Sequence, residues 1–504
     1  MKTSPIIIHP FLFSLLPILF LFQDNIHEIP FEDISLLLMF SGTIAVIIWL
    51  ILRRFLGGQK SGLIISLLVV LWMAFAHLRL FFGDDDYKNI HFLGSNLVLI
   101  PIFTPVGLFG IIYIIKKKLS VKITSTINVM SIVIISFLVI QIIFYYINED
   151  LQHSSLNEFV DIPITQSNVV NKPDVYVLVL DAYSGDITLQ NDFGYDNSEF
   201  KSKLESKGFV ITKKSFSNYP NTNLSLPSIM NMVYLDFLAD ELGKDSRDVR
   251  IIKKLLDNNN VMRIFNANGY DIITFYGGLG ATGSDELVDE KLCGFIFNLS
   301  PDLQKSIVYM YLPIASLRAQ FYDEWHYKQL ECVFSTLLNF EKKNETPLFM
   351  YIHIALPHPP FIYDSEGNHV SNTYSTDRFD AALKDAYLQQ LLFANKKTLE
   401  LVDSIQNKDP ESVIIIMSDH GGRLGVDWYN PTEMDYYRGL ENLSAFYYPR
   451  QENNIPSEYP AVNIFRIFFN LYFETDYEIL DDRQIWYVPE RPFDFTDVTE
   501  ILNS

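Results

Sequence analysis

An aspartate and a histidine stand side by side at Asp419 and His420, directly after the apolar run Val413–Met417 and Ser418 and directly before Gly421 and Gly422. A carboxylate and an imidazole are, respectively, hard and borderline ligands for a divalent cation. The run before them is continuous rather than alternating, as in a strand buried on both faces of a parallel sheet. The carboxyl end of such a strand is where open α/β sheets place their sites. The paired glycines let the backbone turn away sharply. Taken alone, Asp-His-Gly-Gly also reads as a solvated turn in which Asp caps and Gly bends.

A second buried strand, Asp174–Leu180, ends in Asp181. Asp181 either caps the helix after its strand or joins Asp419 and His420 around one ion. Thr222 and Ser225 supply hydroxyls at the start of a probable helix, where free backbone amides and the positive end of the dipole favour an anion. A helix beginning near Leu224 leaves Thr222 ahead of the first turn and Ser225 inside it. A hydroxyl is a poor nucleophile at neutral pH, and a metal that lowers the pKa of bound oxygen also neutralises a phosphoryl or sulfuryl group. His358, in the Pro-rich loop Pro357–Phe361, could protonate a leaving alkoxide, or Pro-His-Pro could be only a rigid turn. His353 alternates with apolar residues inside a strand and reads as a packed core histidine. Tyr183, Asp186 and Arg423 lie close enough to the motifs to line a pocket.

These residues need a scaffold of strands alternating with helices. Strands are expected at Asp174–Leu180, Gly208–Ile211, Asp271–Phe275, Leu348–Ile354 and the run before Asp419. Helices are expected at Phe200–Ser206, Val261–Asn268 and Ala381–Ile405, the last with Leu383, Leu388, Leu391, Leu392, Leu399 and Val402 along one face. Each strand ends in polar residues, so the sheet is mostly parallel and flanked by helices. Gly277-Gly278-Leu-Gly280 does not open a helix as a nucleotide-binding turn would, and reads as a loop.

Before residue 150 the chain is different in kind. Apolar runs long enough to span a bilayer lie near Ile6–Phe22, Ile34–Leu52, Gly62–Phe82, Asn96–Ile115 and Ile123–Ile147. Lys2, then Arg53, Arg54 and Lys60, then Lys116, Lys117, Lys118 and Lys122 fall on one side of them. These cations put that side in the cytoplasm, and five spans then leave everything after Tyr146 outside. Phe20-Leu-Phe-Gln23 offers no small-residue cleavage site, so the first run is kept as a span rather than a signal peptide.

At 504 residues, 49% hydrophobic and with a mean hydropathy of +0.13, the chain is too long and too apolar for one small soluble domain. Its net charge of −21 falls largely on the part after the apolar runs and argues against nucleic acid as a partner. Cys293 and Cys332 are the only cysteines. They could pair in an oxidising compartment but make neither a disulfide framework nor a Cys-based metal site.

Asp181, Thr222, His358 and the Asp419-His420 pair, in this order behind five apolar runs, resemble the sulfatase-like branch of the alkaline phosphatase superfamily. The pattern is most similar to that of membrane-anchored lipoteichoic acid synthases and phosphoethanolamine transferases. The resemblance implies an acid after the first strand, a Thr nucleophile at a helix start, and an Asp-His pair as metal ligands. It makes Asp181, Thr222, Asp419 and His420 the metal set and His358 a substrate-contacting histidine; Thr222 and His358 are then expected to be catalytic, and Ser225 and Arg423 to bind substrate. A sulfatase proper carries Cys or Ser, any residue, Pro, Ser and Arg; Ser225-Leu-Pro-Ser228 fits this, but Ile229 stands in place of Arg. Asp181 is followed by Ala182 rather than a second acid, and no histidine follows His420, so one metal with a Thr nucleophile fits best. Asn442–Pro449 and Asn463–Asn470 resemble the closing segments of this domain type.

The expectation is a multi-pass α-helical membrane domain (residues 1–148), a linker (149–172) and an extracytoplasmic α/β alkaline-phosphatase-like domain with a mostly parallel sheet (173–504). It would sit in the cell (inner) membrane, in contact with the lipid bilayer, and use one divalent ion (Mn, Zn, Mg or Ca) on a lipid-linked or glycan phosphoester. A sulfuric ester hydrolase using Ser225, or a non-catalytic relative that binds an envelope glycan or lipid, stays open.

Overall fold

The computed structural model describes residues 6–26, 31–83, 93, 95–153, 160, 162–167, 169, 172–275, 287–293, 315–370, 379–451, 454–456, 458 and 460–503. The glycine run at 277–280 lies outside these residues. Two compact units divide the chain, one of residues 1–152 with 299–319 and one of residues 153–298 with 320–504.

The first unit is helical: α1 (His9–Asp24), α2 (Phe31–Leu56), α3 (Gly58–Gly83), α4 (Asn96–Lys116) and α5 (Val121–His153). Four of these, α2 to α5, are long and apolar enough to cross a membrane. Many large apolar side chains on them face outward, among them Phe40, Ile51, Phe109, Val133, Ile140 and Phe144. Such a surface is costly in water and ordinary in lipid. The first expected span is α1, whose 16 residues reach about 24 Å against a hydrocarbon core of about 30 Å.

The second unit is built on a seven-stranded sheet. Its strands are β1 (Val175–Leu180), β2 (Val210–Ile211), β3 (Asp271–Phe275), β4 (Glu290–Leu292), β5 (Leu348–Ile354), β6 (Val413–Ser418) and β7 (Ser444–Tyr447). The order is β2-β7-β6-β1-β5-β3-β4. The pairs β6-β1, β1-β5, β5-β3 and β3-β4 are parallel, while β7 runs antiparallel to β6 and β2. A separate hairpin, β8 (Ile485–Val488) and β9 (Arg491–Asp497), lies near the carboxyl end.

The sheet is covered on both faces, which is why its central strands read as unbroken apolar runs. One face carries Leu178, Leu180, Ile352, Ile354, Ile414 and Ile416 under the helix Ala381–Lys408. The other carries Val177, Val179, Phe349, Tyr351, Ile415 and Met417 under the helices Thr222–Asn231 and Ile464–Tyr472. Val160, Pro163 and Thr165 are tied along this unit. Asn260 donates to the Val160 carbonyl, Asn268 to that of Thr165, and Tyr477 to that of Pro163. Cys293, just after β4, is disulfide-bonded to Cys332 on the helix Ala315–Leu338.

Candidate metal and nucleophile site

Side chains alternate along a strand, so residues two apart share a face. Val179 of β1 lies in register with Met417 of β6 on one side and His353 of β5 on the other. Two residues beyond Val179 is Asp181, and two beyond Met417 is Asp419. Asp181, Asp419 and His353 therefore emerge on one face, at the carboxyl ends of three adjacent strands. That face is the one covered by the Thr222 helix.

The Thr222 helix begins two residues earlier than the sequence pattern suggests. Asn221 caps it by accepting from the Asn223 N–H, so Thr222 is its first residue rather than a residue ahead of it. The Thr222 Oγ1 donates to Asp419 Oδ2 at 2.6 Å and lies 3.1 Å from His420 Nε2. Ser225, one turn on, is fully buried, and its Oγ has no hydrogen-bond partner among the described residues.

Asp181, Asp419 and His420 form a buried cluster whose ligand atoms all lie within 4.8 Å of one another. His420 Nε2 is 3.5 Å from Asp181 Oδ1 and 3.4 Å from Asp419 Oδ2. His420 Nδ1 lies 2.7 Å from the Gly421 carbonyl, which can only accept. Nδ1 therefore carries the proton, and Nε2 turns its lone pair to the carboxylates. Burial, and then the positive charge of Arg423, pushes His420 down to about 3, so the imidazole is neutral. Both Asp181 oxygens are buried without a hydrogen-bond partner among the described residues. Burial, reinforced by Asp419, pushes the Asp181 carboxyl up to about 8. Two buried acids, one with no donor, beside a neutral imidazole and a hydroxyl make a mixed oxygen and nitrogen set that fits a divalent cation.

The backbone around the cluster is fixed by hydrogen bonds from distant segments. Asp419 Oδ1 accepts from the amides of Ala182 (3.2 Å) and His420 (3.0 Å). Ser418 Oγ donates to the His420 carbonyl and accepts from the Tyr183 amide, and Asn442 donates to the Ser418 carbonyl. Asn442 and β7 thus brace the strand that carries Asp419. Ala182, at φ 62°, bends the chain directly after Asp181, and Tyr387 holds that bend with its hydroxyl 2.8–2.9 Å from Ala182 O, Ser184 N and Ser184 Oγ.

Gly421 and Gly422 are needed for a reason other than a left-handed turn, which falls instead at Arg423 (φ 57°). A Cβ on Gly421 would sit 2.4 Å from the Arg438 carbonyl oxygen, and one on Gly422 would sit 2.4 Å from Ser184 Oγ. Close approach of neighbouring segments selects glycine at both.

His358 is held beside the cluster. Its amide donates to the Asp181 carbonyl at 3.1 Å, and its Nδ1 lies 2.5 Å from the Pro359 carbonyl. Buried Gln390 pins the loop, donating to the carbonyls of Pro357, His358 and Pro360 and accepting from the amides of Ile362 and Tyr363. Arg423 is half-buried, and its charge acts on Asp181, His420 and Tyr487.

Other sequence expectations do not meet here. Tyr183 turns into the core, with its hydroxyl on Asn197 and Asn395. Asp186 is exposed and pairs with Lys201. His353, expected as a packed core residue, is buried, but its Nε2 faces Asp181 and Asp419. Its parity with Asp181 and Asp419 was the available signal, and only the strand order gives that parity meaning.

The sulfatase family profile matches residues 173–457, and the chain belongs to that family, within the alkaline phosphatase superfamily. No curated protein sequence matches the chain. Among solved structures it is similar to the C-terminal periplasmic domain of EcEptC from Escherichia coli, at 13% identity over 67% of this chain and 97% of that one, with a TM-score of 0.43. It is also similar to the soluble domain of lipooligosaccharide phosphoethanolamine transferase A from Neisseria meningitidis, at 17% identity over 62% and 93%, TM-score 0.40. The integral membrane form of that Neisseria meningitidis protein matches at 16% identity over 92% and 94%, TM-score 0.41.

Proposed function

We propose that this is a membrane-anchored, metal-dependent enzyme that transfers or hydrolyses a phosphoester, on a phospholipid head group or an envelope glycan, through Thr222. The observation that carries the reading is the Thr222 hydroxyl, first in its helix and 2.6 Å from Asp419 Oδ2. Asp181, Thr222, Asp419 and His420 would hold one divalent ion, Mn, Zn, Mg or Ca. When bound, the ion would lower the pKa of the hydroxyl and offset charge on a phosphoryl oxygen.

The chain's own groups account for the rest. Thr222 Oγ1 forms a bond to phosphorus as the bond to the leaving alkoxide breaks, and its proton passes to Asp419 Oδ2 along the existing hydrogen bond. With Nδ1 donating to the Pro359 carbonyl, a His358 ring protonated also on Nε2 would give that proton to the departing oxygen and recover one from the acceptor hydroxyl or water in the second step. Arg423 would supply positive charge for a bound anion, beside the positive end of the Thr222 helix. Ser225, one turn deeper, would contribute a hydrogen bond to substrate oxygen. An envelope acceptor or water then takes the group from Thr222.

The membrane unit (residues 1–148) would anchor the catalytic domain (173–504) outside the cytoplasm, with 149–172 between them. Arg53, Arg54, Lys60 and Lys116–Lys118 put the loops after α2 and α4 inside. The carboxyl end of α5 is then outside whether or not α1 spans, and the Cys293–Cys332 disulfide fits an oxidising compartment.

The full-length protein in detergent, assayed on a phosphatidylethanolamine vesicle and on an aryl sulfate, tests the substrate class. Metal-dependent release or transfer of the phosphorylated head group is expected. Turnover of the sulfate alone, abolished by Ser225→Ala, would replace this reading with a sulfatase.

A further inference from the structure

His353 has no place in the ligand set proposed above, yet it is the side chain that set leaves unexplained. Its side chain is only 4% exposed, and neither ring nitrogen has a hydrogen-bond partner among the described residues. A buried imidazole in a packed core keeps at least one partner. The Nε2 lies 3.6 Å from Asp181 Oδ2 and 3.9 Å from Asp419 Oδ2, too far to hydrogen-bond either.

Those separations have another meaning. Neighbouring nitrogen and oxygen ligands at about 2.0–2.2 Å from one four- or five-coordinate zinc ion stand roughly 3.0–3.6 Å from each other. His420 Nε2 is spaced in this way from Asp181 Oδ1 (3.5 Å) and Asp419 Oδ2 (3.4 Å). His353 Nε2 repeats the spacing from Asp181, opens from Asp419, and stands outside the three residues whose ligand atoms all lie within 4.8 Å of one another, so binding would draw its ring inward. Asp181 thus turns one oxygen to each histidine, and both histidines share Asp419 Oδ2. His353 also emerges on the same sheet face as the two acids, as its register with Val179 requires.

We propose that His353 is a further ligand of the ion, binding through Nε2, so that Asp181 lies between two imidazoles. This rests on the metal reading given above and adds to it. A second imidazole shifts the donor set from one suited to Mg²⁺ or Ca²⁺ toward one that prefers a transition-metal ion such as Zn²⁺.

The test uses the full-length protein in detergent, stripped with chelator and reloaded with Zn²⁺ alone. X-ray absorption should show outer-shell scattering from two imidazoles in the wild type and one in His353→Gln. Chelator competition should show His353→Gln binding Zn²⁺ more than about 100-fold more weakly, beyond the loss expected for an outer-shell partner. The melting curve of the stripped variant, matching that of the stripped wild type, would show that its fold is intact. One equivalent of zinc with a single imidazole in the wild type would overturn the role of His353 and leave the metal reading standing. An affinity in His353→Gln within about threefold of wild type would do the same. No zinc in the wild type would overturn both.

Discussion

Thr222 Oγ1 and Asp419 Oδ2 lie 2.6 Å apart across 197 residues of sequence. The contact joins the first residue of a helix to the end of a central strand, and both the nucleophile and the ion depend on it. Asp419→Asn keeps the shape but removes the charge that attracts the hydroxyl proton and the cation. Turnover should fall by roughly three orders of magnitude or more, with metal content lost and the circular dichroism spectrum near native. Full metal content in that variant would place the ion elsewhere.

Removing the ion should make stability depend on pH with a defined sign. The Asp181 carboxyl is pushed up to about 8 in the folded chain, against about 3.9 when unfolded. Between those values the folded state keeps a proton that the unfolded state releases, so stability falls as pH rises. The stripped protein should melt at lower temperature near pH 8 than near pH 5, and Asp181→Asn should remove most of that difference. Zinc should reverse the trend, because the ion favours the ionised carboxylate. Melting curves with and without chelator decide it.

Gln390 serves five backbone groups of the loop that carries His358. Gln390→Ala orphans them and should cost about 2–4 kcal/mol in denaturant unfolding. It should lower kcat more than metal affinity, since the acids sit on strands outside the loop. Equal losses in both would mean that the loop also supports the ion.

Gly421→Ala puts a methyl group 2.4 Å from the Arg438 carbonyl oxygen, and that neighbour is backbone. His420 would have to shift with it. Metal affinity should drop by at least about tenfold, whereas Gly194→Ala, at an exposed left-handed glycine (φ 64°) with open space around its Cβ position, should cost stability through backbone strain but leave affinity unchanged.

A reporter enzyme that is active only in an oxidising compartment, fused after Ser504, should be active. Silence there, with a cytoplasmic reporter active instead, would contradict the orientation drawn from the arginines and lysines.

Much of the scaffold was legible because buried parallel strands leave unbroken apolar runs. β3 and β5 fall on the expected residues, and β1 starts one residue later. Asp181, Asp419 and His420 were legible because each directly follows such a run. His353 was not, since it lies inside a run, where only the order β6-β1-β5 shows that it shares a face with the acids. The start of the Thr222 helix was misplaced because Asn221, an ordinary loop residue in sequence, caps it from the side chain. Tyr183 and Asp186 closely follow Asp181 in sequence, yet the bend at Ala182 turns them away.

The proposed chemistry turns on the Thr222 hydroxyl as nucleophile, and mass spectrometry of an acid-quenched turnover examines that bond itself. An added phosphoryl-linked group is expected on the peptide that contains Thr222, absent from Thr222→Ala and present at a reduced rate in Ser225→Ala. A group found on Ser225, or Ser225 converted to formylglycine, would contradict the assignment.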